Sequence, residues 1–183
     1  MHKTNRRQFL KMGMIAAASA APFAAFAAPR KIITAEKSLS FYNTHTGEKI
    51  KAVYWADGDY QRDGLADINR VLRDHRNDQI KEISPALLDF LHNVGNEVDA
   101  NQAIHIISGY RSPATNTMLA ERSGGVARHS MHLEGKAIDI RVPGRDLSQV
   151  RAAALKLQGG GVGYYPRSNF VHLDVSRVRQ WQG

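Results

Sequence analysis

The chain has 183 residues, 43% of them hydrophobic and 23% charged, with no cysteine. This is the composition of one ordinary globular core, and it excludes a disordered tail, a collagen, a coiled coil and a disulfide framework. The formal charge is +8, from 25 Lys and Arg against 17 Asp and Glu, but four of the cations and none of the acids lie in residues 1–27, so the remainder holds 21 against 17 and a nucleic-acid partner is disfavoured.

Residues 1–27 read as an export signal. Thr4-Asn5-Arg6-Arg7-Gln8-Phe9-Leu10-Lys11 is followed by a weakly hydrophobic, Ala-rich run from Met12 to Ala28, and Ala25-Phe26-Ala27 offers small residues for cleavage. The Ala-rich run and Pro29 argue against a membrane-spanning helix, and no Cys is present to carry a lipid anchor, so the mature protein has no stable membrane anchor. The paired arginines ahead of Phe9, Leu10 and Lys11 resemble the twin-arginine signal, which implies the twin-arginine export machinery as a partner and the periplasm as the destination.

Residues 28–38 read as a polar tether and 39–183 as the folded domain. Leu39–Tyr42 and Ile50–Trp55 are β-type runs flanking Asn43-Thr44-His45-Thr46-Gly47-Glu48, which predicts a hairpin closed by Asp57-Gly58-Asp59. Leu65, Ile68, Val71 and Leu72 recur at helical spacing, and Ser84-Pro85 opens a second helix carrying Leu87, Leu88, Leu91 and Val94. Ala103–Ile107 is a buried-type strand, Ser112-Pro113 opens a helix running to about Arg122, and Gly124 with Gly125 stops it. Ala137–Arg141 is a strand, Leu147–Leu157 a helix and Gly159-Gly160-Gly161 a turn. Val162–Tyr165 and Phe170–Val175 then form two short strands. Without a regular βαβ repeat, the order predicts an α+β domain with a small, mainly antiparallel sheet and flanking helices.

Polar chemistry is densest between Arg128 and Arg141. His132 and Asp139, joined by His172 on a later strand, supply two imidazoles and a carboxylate, the three protein donors of a catalytic zinc site that keeps a fourth position open. Alternation along Ala137–Arg141 turns Asp139 away from Ile138 and Ile140, and the same parity puts Phe170, His172 and Asp174 on one face of their strand. Tyr54, Trp55, Tyr60, Tyr164 and Tyr165 are candidates for an aromatic peptide groove, although strand aromatics more often belong to a core.

Ser130-Met131-His132-Leu133-Glu134-Gly135-Lys136-Ala137-Ile138-Asp139 fits S-x-H-x-x-G-x-A-x-D at every fixed position, and Phe170-Val171-His172-Leu173-Asp174 follows. These segments resemble the zinc peptidases of the D-alanyl-D-alanine carboxypeptidase clan. Together with Ser108-Gly109-Tyr110-Arg111-Ser112-Pro113, Gly163-Tyr164-Tyr165 and the signal, they are most similar to the exported murein endopeptidase K family. The resemblance implies Zn2+ held by His132, Asp139 and His172, and hydrolysis of the peptide cross-links of peptidoglycan. It also implies that Arg111 holds the substrate or the developing oxyanion. Many clan members carry H-x-H on the last strand, where this chain has Phe170. Asp174 is the first candidate to replace the missing His as base or proton shuttle, ahead of His129 and Glu134; its other reading is a group that orients a ligand. Two alternatives stand beside the endopeptidase: a D-alanyl-D-alanine-type carboxypeptidase, and a non-catalytic, zinc-stabilised peptidoglycan-binding module.

Overall fold

The computed structural model describes residues 36–122 and 127–183, so the signal at 1–27, most of the tether and the stop at Gly124 and Gly125 lie outside the described residues. Strand β1 (Lys37–Asn43) begins two residues before the expected start of the domain and pairs antiparallel with β2 (Lys49–Ala56) as the predicted hairpin. Asn43 shapes its turn, its side-chain oxygen accepting from the backbone N–H of His45 at 2.9 Å and of Thr46 at 3.2 Å. A two-residue edge strand, β3 (Asp59–Tyr60), leads into α1 (Arg62–Val71) and α2 (Pro85–Glu97). The chain continues through β4 (Ile104–Ser108), α3 (Pro113–Arg122), a 3-10 turn (Met131–Glu134), β5 (Ala137–Arg141) and α4 (Leu147–Leu157). It ends in β6 (Gly161–Tyr165), β7 (Phe170–Asp174) and β8 (Arg179–Gln182).

All eight strands join one sheet in the order β3-β2-β1-β4-β5-β7-β6-β8. The α+β class and the mainly antiparallel pairing agree with the sequence. Only β1 with β4 and β6 with β8 run parallel among the described residues. The sheet is larger than expected because β3 is two residues long and β8, Arg179-Gln180-Trp181-Gln182, has no apolar alternation by which to announce itself.

Two-residue periodicity splits the central strands between a core and a site. Ile138, Ile140, Val171, Leu173 and Val162 are buried in one hydrophobic cluster with Leu87, Leu88, Leu91 and Val94 of α2 and Val150 and Ala154 of α4. Each Leu or Ile so buried contributes roughly 1.5–3 kcal/mol, enough that β5, β6 and β7 form a stiff floor. Asp139 and His172, one residue out of phase with these, project from the other face. No helix among the described residues is long and apolar enough to cross a membrane.

Candidate metal centre

Strand register places the polar residues in rows across the sheet. Asp139 of β5 is paired with His172 of β7, His172 with Gly163 of β6, and Gly163 with Trp181 of β8. One row along, Ala137, Asp174, Gly161 and Arg179 are partners in the same way, and Phe170 faces Tyr165. The glycines make room in both rows: a Cβ on Gly163 would sit 2.7 Å from the Trp181 ring, and one on Gly161 would collide with Arg179 and Asp174. Side chains from β8 therefore lie over β6 and reach the β7 residues beyond it.

His132 arrives from outside the sheet on the 3-10 turn. Ser130 caps that turn, its hydroxyl accepting from the His132 N–H at 3.4 Å, and Gly135 ends it in the left-handed region at φ +68°. Gly135 is needed on two counts, since a Cβ there would also strike the Glu82 carbonyl. Its own carbonyl accepts from the Ser84 N–H at 2.9 Å, which ties the turn to the start of α2. The loop after β4 grips His132 from the other side. His132 Nδ1–H donates to the Gly109 carbonyl at 2.7 Å, and the Arg111 N–H donates to the His132 carbonyl at 3.2 Å.

Three donor atoms meet as a result. His132 Nε2 and His172 Nδ1 are 3.2 Å apart, His172 Nδ1 is 2.8 Å from Asp139 Oδ1, and His132 Nε2 is 3.3 Å from the same oxygen. A tetrahedral zinc ion with bonds of about 2.0–2.1 Å requires ligand atoms roughly 3.3–3.4 Å apart, so the triangle is close to one face of that tetrahedron. The protonation pattern also fits. A carbonyl only accepts, so His132 carries its proton on Nδ1. Asp174 Oδ2, 3.1 Å from His172 Nε2, accepts the proton of that nitrogen, so Nδ1 is the side of the ring a cation at the triangle would take. Two imidazole nitrogens and a carboxylate oxygen point at one another, an arrangement that either a shared proton or a cation between them satisfies. His132, Asp139 and His172 form a buried group that could hold a metal ion.

The electrostatics follow from burial. Burial pulls His132 below the ordinary histidine value and outweighs the pull of Asp139. Burial acts the same way on His172, but Asp139 and Asp174 together raise it. Burial alone would raise Asp139; His132 and His172 against it hold its carboxyl well below the usual range.

Arg111 and Asp174 flank the triangle. Arg111 Nη2 is 3.4 Å from Asp139 Oδ2, its Nε is buried without a partner, and burial lowers its pKa against the opposing pull of Asp139. Asp174 is fully buried with both oxygens engaged. It receives Arg179 Nη2 at 2.8 Å and Nη1 at 3.0 Å, the Ser176 N–H at 2.9 Å, and the His172 ring. His172, Arg179 and Ser176 hold it well below the usual carboxylate range despite its burial. This geometry matches the orienting role rather than that of a shuttle that must reach substrate.

Of the other two shuttle candidates, Glu134 is exposed and paired with Lys136 at 2.7 Å, away from the cleft, whereas His129 lines it. The cleft encloses about 590 Å³ and is also lined by Arg76, Tyr165, Phe170, Arg179 and Trp181. Among the aromatic candidates only Tyr165 reaches it. Tyr54 and Tyr60 donate to Asp89, Trp55 lies under Lys37, and Tyr164 packs beneath Arg151. Sequence reasoning did not find Arg179 and Trp181. The spaced glycines Gly161, read there as the end of a turn, and Gly163, read there within a strand, were the available sign that side chains cross β6.

The profile of the peptidoglycan L,D-endopeptidase MepK family matches residues 31–181. The chain belongs to this family. It is 42% identical over 181 residues to the peptidoglycan L,D-endopeptidase MepK of Escherichia coli K12, with 97% of each chain covered, and equally to that of Shigella flexneri. The probable peptidoglycan L,D-endopeptidase MepK of Haemophilus influenzae is 37% identical over 184 residues, covering 98% of this chain and 96% of its own length. No match is found among solved structures. The MepK family is a metallopeptidase family, and this chain is accordingly a peptidase whose His-Asp-His group could bind its metal.

Proposed function

We propose that this MepK family member is a zinc-dependent endopeptidase that cleaves the L,D cross-link peptides of peptidoglycan in the periplasm, exported by its twin-arginine-type signal. The observation that carries the reading is the triangle of His132 Nε2, His172 Nδ1 and Asp139 Oδ1, with all three separations between 2.8 and 3.3 Å, at the cleft of a chain similar throughout to relatives named for that activity. Zinc bound there supplies a Lewis acid that polarises the scissile carbonyl and makes the attacking water acidic enough to act near neutrality.

The remaining chemistry belongs to the chain. His132 and His172 present bare nitrogens because Gly109 and Asp174 hold their protons on the far side of each ring. Asp139 contributes one oxygen to the triangle and turns the other to Arg111. Arg111 lines the cleft with Nη2 on Asp139, and the rest of its guanidinium is the candidate to hold the substrate or the oxyanion. His129, at the cleft, is placed to carry a proton between substrate and solvent.

The test incubates the zinc-loaded chain with purified L,D-cross-linked muropeptide dimers and follows release of monomers by chromatography, beside a chelated control and His132→Ala. Monomers with zinc alone, and none from His132→Ala, are expected. Loss of a terminal D-alanine with the dimer intact assigns a carboxypeptidase instead, and unchanged dimers that still bind the protein assign a binding module. Replacing Arg6 and Arg7 by Lys is expected to keep the unprocessed chain in the cytoplasm, as fractionation would show.

A further inference from the structure

The Phe170 position, where the clan resemblance places a histidine, is closed by an aromatic pair. Phe170 of β7 and Tyr165 of β6 are cross-strand partners whose rings stack with centroids 4.5 Å apart and planes 20° from parallel. Tyr165 shares its strand face with Gly163, which is the register partner of His172, so the phenol stands on the same face as the triangle. Trp181 fixes the other end. Its ring lies 5.2 Å from that of His172, and its Nε1–H donates to the Tyr165 hydroxyl oxygen at 2.8 Å.

A tryptophan nitrogen only donates, so the Tyr165 oxygen is the acceptor there and its own O–H proton remains to be given. Among the described residues that proton has no acceptor. Tyr165 also lines the cleft, as Arg111 does. A preset hydroxyl and a buried guanidinium thus face the same space beside the candidate metal ligands. Preset donors are most effective when aimed at charge that appears only during the reaction.

From this arrangement we infer that Tyr165 is a catalytic residue of the proposed endopeptidase, its hydroxyl donating a hydrogen bond, together with Arg111, to the oxyanion that develops on the scissile carbonyl. Phe170 and Trp181 are positioning residues that hold the ring and leave its proton free. No proton changes hands at Tyr165: water adds to the carbonyl carbon while its proton passes to His129, the carbonyl electron pair moves to oxygen where the phenol stabilises it, and as that pair returns the C–N bond breaks and the proton is delivered to the departing amine. The inference rests on the endopeptidase reading.

The experiment uses the zinc-loaded full chain and Tyr165→Phe, which keeps the ring and the stack. On L,D-cross-linked dimers, kcat is expected to fall about 100-fold with KM changed less than threefold, the loss typical of one oxyanion donor. Affinity for a phosphinate analogue of the cross-link should fall by a similar factor. Affinity for an uncleavable substrate peptide, and the visible spectrum of the cobalt-substituted protein, should stay unchanged. A Tyr165→Phe enzyme within twofold of wild type in kcat overturns the inference. A wild type that leaves the dimers whole counts against the endopeptidase reading, not against Tyr165, and the phosphinate comparison then decides: equal binding overturns the role, weakened binding supports it.

Discussion

Asp174 shows how a charge can be buried and its direction fixed. A carboxylate taken out of water is costly unless its oxygens are filled, and here His172, Arg179, Ser176 and the Gly161 N–H at 3.3 Å fill them. The pair with Arg179 uses two nitrogens on two oxygens, a geometry that fixes direction as well as distance. Because the carboxylate cannot turn, the His172 ring cannot turn, and its Nδ1 stays aimed at Asp139. Asp174→Asn retains the shape but weakens the hold on His172 Nε2–H and leaves Arg179 without its counter-charge. Partners of this kind usually govern metal affinity by 10- to 100-fold. Competition against a chromophoric chelator should therefore show zinc binding weakened by about that factor, with the fold intact by circular dichroism. Unchanged affinity would remove Asp174 from the metal's support.

At the level of elements, β6 works as a thin spacer between β7 and β8. Its glycines let Arg179 and Trp181 pass over the strand, so an edge strand with no core residues of its own reaches the candidate site from two strands away. Gly163→Ala places a methyl group 2.7 Å from the Trp181 ring, and the ring rather than the stiff β6 backbone must yield. In a Trp55→Phe background the emission of Trp181 is expected to shift to longer wavelength as the ring becomes wetter, with activity falling at least tenfold and the melting temperature changed little. Unaltered fluorescence would mean that the spacer argument is wrong. The same elements explain what the sequence could say. Helix α4 carries apolar residues at helical spacing and was read with its observed bounds, Leu147–Leu157, and the alternation of Ala137–Arg141 put Asp139 on the polar face. That His132, Asp139 and His172 come together was legible because they sit in a patterned segment or on a strand of fixed parity. The destination of Asp174's side chain was not, because it depends on Arg179, and the pairing of β8 with β6 is a long-range choice that leaves no local periodicity. The use of the Gly109 carbonyl to set the His132 tautomer was hidden for the same reason, since backbone acceptors have no sequence signature.

For the molecule as a whole, stability has two pH- and ligand-sensitive contributions outside the apolar core. The first is His75, whose ring stacks on His45 with centroids 3.9 Å apart and planes 7° from parallel. Burial, then the charges of His45, Arg76 and Arg73, pull it down from 6.5 to about 4, with Asp74 opposing. Between these values the unfolded chain binds a proton that the folded chain refuses, so this group makes stability fall as pH drops from 6.5 towards 4 and leaves it flat above that window. In metal-free protein the urea midpoint should decline over that range, and His75→Phe, which keeps an aromatic ring against His45, should flatten part of the decline. Parallel curves for the two proteins would exclude the contribution. The second is the metal proposed for the triangle. With no cysteine the chain has no disulfide to restrain its unfolded state, and the triangle gathers lone pairs that repel unless a proton or a cation lies between them. An ion bound only by the folded chain adds about 4 kcal/mol when present at a thousandfold excess over its dissociation constant. For a domain of this size each kcal/mol moves the melting temperature by roughly 2–4 °C, so chelation should lower it by roughly 10 °C and zinc should restore it. His132→Ala removes one of the three donors, and its melting temperature is expected to be indifferent to both treatments. A wild type equally indifferent would show that the folded chain does not hold zinc, and the proposed hydrolytic chemistry would fail with it.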